Sequence, residues 1–301
     1  MSRTVEAARS KWKGIFLQLG IDRDHLTGKH TSCPICGGTD RFRFDDKEGR
    51  GTWICSVCGA GSGMDLLTKA LGMSFREAAD RVDEIVGNVR PEPVKQGITE
   101  DRSRQLLRDL WLASRDVTDG DPVTRYLAGR GVPMPQNRKS LRYADRTRAP
   151  DGSMHPAMLA IVSDVTGKPV TMHRTFLGPN GKADMADARA TMPGAIPDGC
   201  AIRLSMHGER LGIAEGIETA LAASARFGLP VWAAINATMM TKWEPPAGVR
   251  EVVVFGDNDA TFTGHAAAYA LARRLVMRNH VAVRVEIPAQ PGTDWADAHA
   301  A

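Results

Sequence analysis

From Glu209 onward the chain alternates short apolar runs with amphipathic stretches. Leu211–Ala214, Val231–Ile235, Val252–Phe255 and Val281–Ile287 are runs of the first kind, while Ile217–Phe227 and Gly264–Met277 carry apolar residues at helical spacing. Buried strands alternating with helices predict a small parallel sheet covered on both faces. Upstream the pattern is mixed. Leu106, Leu107, Leu110 and Trp111 predict a helix over Glu100–Asp116. A second helix follows Asp121 and Pro122, which suit the N-cap and first helical positions, and ends near Gly129 and Gly131. Met158–Ser163 and Val170–Leu177 read as strands joined by the turn Val165-Thr166-Gly167, with Asn180-Gly181 as a further turn. Nearer the N-terminus, Met64–Leu71 and Phe75–Val86 are predicted helices, the second opened by Ser74 with Glu77 three residues on, as in a capping box. Asn88–Gly97 holds two prolines, little hydrophobicity and no period, and reads as a linker. The fold class expected is therefore mixed α/β. It divides into a cysteine-bearing unit (1–87), the linker (88–97), an α+β region (98–208) and a parallel α/β sheet (209–301).

Composition narrows the class of protein. Of 301 residues 43% are hydrophobic and 25% charged, ordinary values for a folded chain with room for two or three domains. No apolar run approaches the roughly 18 residues of a membrane span, and Met1–Ser10 is charged rather than built like a signal peptide. The chain is expected in the cytoplasm, with no membrane partner. Net charge is only +4, so its distribution matters more than its sum. Between Asp121 and Arg210 stand 13 Lys/Arg against 8 acids, with Arg138, Lys139, Arg142, Arg146 and Arg148 in one group. The middle region is the basic part.

Four of the five cysteines form two Cys-x-x-Cys pairs, Cys33/Cys36 and Cys55/Cys58, separated by 18 residues. That spacing is a four-thiolate zinc ribbon, in which the metal staples a segment too small for a large core. Iron in a rubredoxin-like site is the alternative. Pro34, Gly37, Gly38 and Gly59 supply the tight turns of the two knuckles. Between the pairs lie Arg41, Phe42, Arg43, Phe44 and Trp53. On a strand the arginines share one face and the phenylalanines the other. Two readings stay open: Arg41, Arg43 and Trp53 as a phosphate-binding and stacking surface for nucleic acid, or aromatics filling the mini-core beside solvated arginines.

Glu215 ends one predicted strand, before Gly216 and a helix, and Gly256-Asp257-Asn258-Asp259 ends another. In a parallel sheet these carboxyl ends face the ligand, so three acids converge there. Converging carboxylates call for a cation, and an oxygen-only set suits Mg²⁺ or Mn²⁺. Such a site orients phosphates, with Gly216 and Gly256 expected to let backbone and phosphate approach.

Glu215-Gly216 with its helix, followed by Gly256–Asp259, resembles the Toprim domain of primases, topoisomerases, certain nucleases and recombination proteins. The resemblance implies proton transfer or metal contact for Glu215 and metal binding for Asp257 and Asp259. Gly292-Thr293-Asp294-Trp295-Ala296-Asp297 is similar to a third acidic motif of primases, which adds Asp294 and Asp297 as further metal ligands. Replicative primases carry another acid four residues after the motif Glu. Here that position is Thr219, and Glu218 lies one residue earlier on a different helical phase. The order zinc ribbon, basic region, Toprim is that of the DnaG-type primases, in a shortened form like those of phages and plasmids. Tyr126–Val132 and Met158–Lys182 resemble parts of their polymerase core, which makes Arg130, Arg174 and Lys182, with Lys139 and Arg142 from the basic group, candidates for gripping phosphates.

The resemblance implies primer synthesis on single-stranded DNA from nucleoside triphosphates, with structural zinc and catalytic Mg²⁺ or Mn²⁺. A topoisomerase would need a large ring-shaped body, for which there is no room. Toprim nucleases usually accompany an ATPase, and no G-x-x-x-x-G-K-[ST] occurs here, so strands must be opened by something else, such as a separate replicative helicase. The helicase-binding tail of replicative primases is expected to be missing after the last acidic motif, so a helicase would dock elsewhere. A binding-only, RecR-like recombination module that also joins zinc to Toprim is the alternative, and a Toprim nuclease a second.

Overall fold

In a computed structural model of the chain, residues 3–91, 98–179, 181–279 and 281–300 are described. The fold has two compact units, Met1–Gly97 and Ile98–Ala301. The expected turn at Asn180-Gly181 and most of the expected linker, 92–97, lie outside the described residues at Asn180 and 92–97.

The first unit wraps four helices around a three-stranded antiparallel ribbon. Its elements are α1 (Arg3–Ala7), α2 (Trp12–Gln18), β1 (Phe42–Phe44), β2 (Trp53–Cys55), β3 (Gly59–Gly61), α3 (Gly63–Leu71) and α4 (Phe75–Ile85). Trp12, Ile15 and Phe16, on one face of α2, are fully buried with Phe42, Trp53, Leu66 and Leu67. Each contributes about 1.5–3 kcal/mol of burial. Ser74 and Glu77 form the expected capping box on α4, and Ser62 and Asp65 form another on α3. Val89, inside the expected linker, is instead buried in this core. It fills the space beside Gly14, where a Cβ would come within 2.5 Å of its Cγ1.

The second unit is built on one sheet of eleven strands. Its first part comprises α5 (Glu100–Ala113), β4 (Arg115–Asp116), α6 (Pro122–Gly129), β5 (Leu141–Arg148), β6 (Met154–Ser163), β7 (Pro169–Gly178), β8 (Gly181–Lys182), β9 (Arg189–Thr191) and β10 (Ala201–Ile202). Asp121 caps α6 by accepting the Val123 and Thr124 N–H groups, with Pro122 at the first helical position. The helix expected over Glu100–Asp116 stops at Ala113, because Arg115–Asp116 pairs with β5.

The second part comprises β11 (Arg210–Ala214), α7 (Ile217–Phe227), β12 (Val231–Ala233), α8 (Ala237–Lys242), β13 (Glu251–Phe255), α9 (Thr263–Asn279), β14 (Ala282–Glu286) and α10 (Trp295–Ala300). The order β14-β13-β11-β12 is parallel throughout, as the alternating pattern predicts. Gly212 sits at its centre because a Cβ there would come within 2.8 Å of both Val231 and Phe255. β12 is shorter than the run Val231–Ile235, since Ile235 takes a left-handed backbone with φ 79°. That is strained for a β-branched residue.

The sheet does not break where residue 208 gives way to 209. β10 pairs antiparallel with β6 on one side and β12 on the other, joining the mixed and parallel halves. One hydrophobic core, from Val117 through Ala296, runs under both.

Candidate functional site

In the first unit the four cysteine sulfurs lie within 4.8 Å of one another. Cys33 Sγ is 3.9 Å from Cys58 Sγ, and Cys36 Sγ is 4.0 Å from Cys55 Sγ. The edge of a zinc–thiolate tetrahedron is about 3.8 Å, so the set fits a zinc ion. The Ile35 and Cys58 amides point at Cys33 and Cys55 sulfur, the knuckle geometry that stabilises thiolates.

The ribbon register decides between the two readings of the residues between the knuckles. Phe42 faces Cys55 and Phe44 faces Trp53 across β1–β2. Trp53 is 1% exposed, stacks on Phe42 and donates its indole N–H to Ser62 O. It is core and offers no stacking surface. Arg41 and Arg43 take the other face, half-buried, with Arg41 folded over Gly38.

In the second unit the acids gather at the carboxyl end of the parallel strands. Glu215 follows β11 and accepts the Ala237 N–H; Asp257 follows β13. Burial raises the Glu215 carboxyl, and the Asp259 charge adds to it. Burial, then the charges of Glu215, Asp294 and Asp259, push Asp257 up to about 7. Asp257 Oδ1 is buried and has no hydrogen-bond partner. An orphaned carboxylate oxygen among like charges is what a bound cation would satisfy. These acids do not close on one point: among the described residues only the cysteines form a group with every ligand atom within 4.8 Å.

The other acids have structural work as well. Burial alone would raise Asp259, but hydrogen bonds from Thr261, Gly264 and Thr263 prevail and hold it at about 2. Its two oxygens cap α9, Oδ1 accepting from Thr261 and Thr263 and Oδ2 from Gly264 N at 2.7 Å. Asp294 and Asp297 cap α10 reciprocally, each accepting the other's backbone N–H. Arg130 lies 3.8 Å from Asp294 and 3.3 Å from Asp297. Asn258 is tied to the same loop by bonds with Gly292, Thr293 and Pro288.

Gly216 and Gly256 differ from each other. A Cβ on Gly256 would meet Ala268 at 3.0 Å and Gly264 O at 3.2 Å, so this glycine serves helix–strand packing, whereas Gly216 leaves room for a Cβ. The tightest approach is Gly264, where a Cβ would stand 2.5 Å from Asp257 O.

The basic candidates separate. Arg142 stacks on Trp111 and spends its donors on Ser114 and Asp116, the latter at 2.5 Å. Arg174 is 7% exposed and donates to the Arg148 and Thr191 carbonyls. Both are interior braces, because their strands are covered on the side where these chains project. Lys139 is exposed. Arg130 and Lys182 line a cleft of about 840 Å³ together with Arg125, Tyr126 and His155.

Two residues, Arg189 and His173, carry no sequence signal, and a third, Glu218, takes a place its helical phase alone does not define. Arg189 on β9, which has no flanking pattern, lines a cavity of about 300 Å³ with His173, Glu215, Ile235 and Asn236, and its charge lowers Glu215 and Asp257. His173 is 5% exposed, its Nδ1 is unpartnered, and burial pushes it down to about 4. Glu218, 4% exposed, accepts the Tyr126 hydroxyl and lies 3.5 Å from Lys182 Nζ. Burial would raise it, but Lys182 and Tyr126 hold it below the usual carboxylate range.

This parallel sheet with acids at its carboxyl edge is a Toprim domain: residues 210–301 match the Toprim domain family. Residues 28–64 match the zinc-binding domain of primase-helicase, and residues 101–204 match a domain of unknown function, DUF7146. The chain thus has the zinc-ribbon-plus-Toprim organisation of the DnaG-type primases. Solved structures with some likeness include a DNA primase domain from Pseudomonas aeruginosa (14% identity, 65% of this chain and 73% of that one, TM-score 0.44). Others are the Aquifex aeolicus primase zinc-binding and RNA polymerase domains (15%, 99% and 82%, 0.39) and the primase fragment of the bacteriophage T7 primase-helicase (17%, 90% and 93%, 0.41). Among the described residues no helix is long and apolar enough to cross a membrane.

Proposed function

We propose that the chain is a DNA primase, joining nucleoside triphosphates into short primers on a single-stranded DNA template. The observation that carries this reading is the Asp257 carboxylate, buried with an unpartnered oxygen among other acids at the edge of a Toprim sheet. Glu215 and Asp257 would hold Mg²⁺ or Mn²⁺, with Asp294 beside Asp257 and Asp259 and Asp297 behind as caps that retain charge. The ion, when bound, offsets charge on the attacking and leaving oxygens of phosphoryl transfer.

The remaining work falls to protein side chains. Arg130, Lys182 and Arg189 face open cavities and would take up phosphate oxygens, while exposed Lys139 would meet the template backbone. In the step itself the 3′-hydroxyl oxygen bonds to the α-phosphorus as the α–β bridge breaks and pyrophosphate leaves. Glu215, raised by burial, receives the hydroxyl proton. The zinc ribbon inspects the template through its Arg41/Arg43 face. Strand opening belongs to a separate helicase.

The test is incubation with single-stranded DNA, NTPs or dNTPs, and Mg²⁺ or Mn²⁺, reading labelled oligomers. Synthesis that disappears in Asp257→Ala supports the reading, and synthesis that survives it refutes the site. Binding without synthesis under every mixture would make the chain a recombination-type binding module, and strand cleavage a nuclease.

A further inference from the structure

Glu218 lies in the first turn of α7, three residues beyond Glu215, and is buried against partners of its own. Its Oε1 accepts the Tyr126 hydroxyl from α6 and lies 3.5 Å from Lys182 Nζ on β8, so one buried oxygen joins three elements. Its Oε2 and Arg189 Nη1 would each be 3.6 Å from a Cβ on Gly216, so Arg189 borders the same spot. A buried carboxylate costs several kcal/mol unless it is paired, and these partners satisfy it. The pairing also argues against metal ligation, since a cation at Oε1 would have to share it with an ammonium group. Lys182 is held at one end only: its side chain is 32% exposed and lines the 840 Å³ cleft with Arg125 and Arg130. A lysine is a flexible point charge, and a fixed counter-charge behind it removes that freedom.

Resting on the primase reading, we propose that Glu218 is a positioning residue that fixes Lys182 in the cleft for the triphosphate of an incoming nucleotide, and takes no part in metal binding. Tyr126 locks the same carboxylate oxygen from α6.

The experiment uses the full chain and two readouts: equilibrium binding of radiolabelled GTP, and primer synthesis with KM for GTP and the Mg²⁺ half-saturation concentration. Glu218→Gln keeps the shape and removes the charge. It is expected to weaken GTP binding and raise KM about tenfold, or ~1.4 kcal/mol, with Mg²⁺ half-saturation and kcat little changed. Lys182→Met should do the same, and the double variant should be no weaker than Lys182→Met alone, because the two act as a unit. Additive losses, or a shifted Mg²⁺ requirement with unchanged KM, would overturn the proposal. Should Glu218→Gln fail to fold, Tyr126→Phe frees the same oxygen while keeping its charge, with an expected KM rise of about threefold; an unchanged KM would again overturn it. GTP binding by a wild type that makes no primer would sink the primase reading alone, since the binding cycle still tests Glu218. Wild type that binds no GTP overturns both.

Discussion

Burial and neighbouring acids make Asp257 hold its proton up to about pH 7 in the absence of a cation, and that is measurable. Its carboxyl titrates near 7 in the fold against an ordinary 3.8, so between these values the folded chain binds more protons than the unfolded one. Stability contributed by the proton is full below about 4 and lost as pH rises through 7. In protein freed of divalent ions other than zinc, Asp257→Asn should therefore raise the melting temperature above pH 7 by a few degrees. Added Mg²⁺ should raise the wild type and leave the variant unmoved, while primer synthesis by the variant is lost. His173 has the opposite sign. Buried and pushed down to about 4 from an ordinary 6.5, it is neutral in the fold and takes up a proton on unfolding. Its contribution is full above pH 6.5 and falls away as pH drops towards 4, by up to about 3 kcal/mol. Denaturant unfolding of His173→Gln across pH 7 to 4 should show a shallower loss than wild type.

At the scale of elements, the start of α9 matters more than its glycine suggests. Gly264 lets the helix's first turn rest on the Asp257 backbone while its own N–H binds Asp259. Gly264→Ala forces the two apart, at about 1–3 kcal/mol. The expected signature is a raised Mg²⁺ half-saturation in the synthesis assay, beyond the loss seen for a destabilising change remote from the site, such as Gly14→Ala in the first unit, where a Cβ would come within 2.5 Å of Val89. In the first unit the zinc holds β1 to β2. Removal by a chelator should expose the amides of Phe42–Cys55 to hydrogen exchange, with those of Glu251–Phe255 still protected.

What the sequence made legible at this scale follows local chemistry. Ser74, Asp121 and the apolar runs at 211–214 and 252–255 announce themselves within a few residues, as do the cysteine pairs and the acids after those strands. Arg142 and Arg174, expected to grip phosphates, are enclosed, and Trp53, open to either reading, is core; long side chains have the same local signature whether solvated or enclosed, and only the neighbouring strand decides. Trp12, Ile15 and Phe16 have helical spacing, yet α2 runs only 7 residues behind Lys11, which makes no side-chain cap, so little local signal marks it. β9 and β10 hold three and two residues, too few for any period, so Arg189 could not be placed beside Glu215 without the fold.

For the molecule as a whole, the two-residue strand β10 carries a consequence for how the chain can be divided. A fragment beginning at Glu209 keeps every strand of the parallel sheet but strips β12 of the partner that covers its outer edge. Val231, Trp232 and Ala233 are all buried in the intact fold, so the cut would leave an apolar strand with unpaired amides and carbonyls facing water. Edges of that kind recruit one another. The Toprim piece on its own should therefore self-associate with concentration in light scattering, while the piece starting at Ile98 stays monodisperse. β10 thus works as a selvedge, keeping the reactive half of the sheet from fraying into its neighbours.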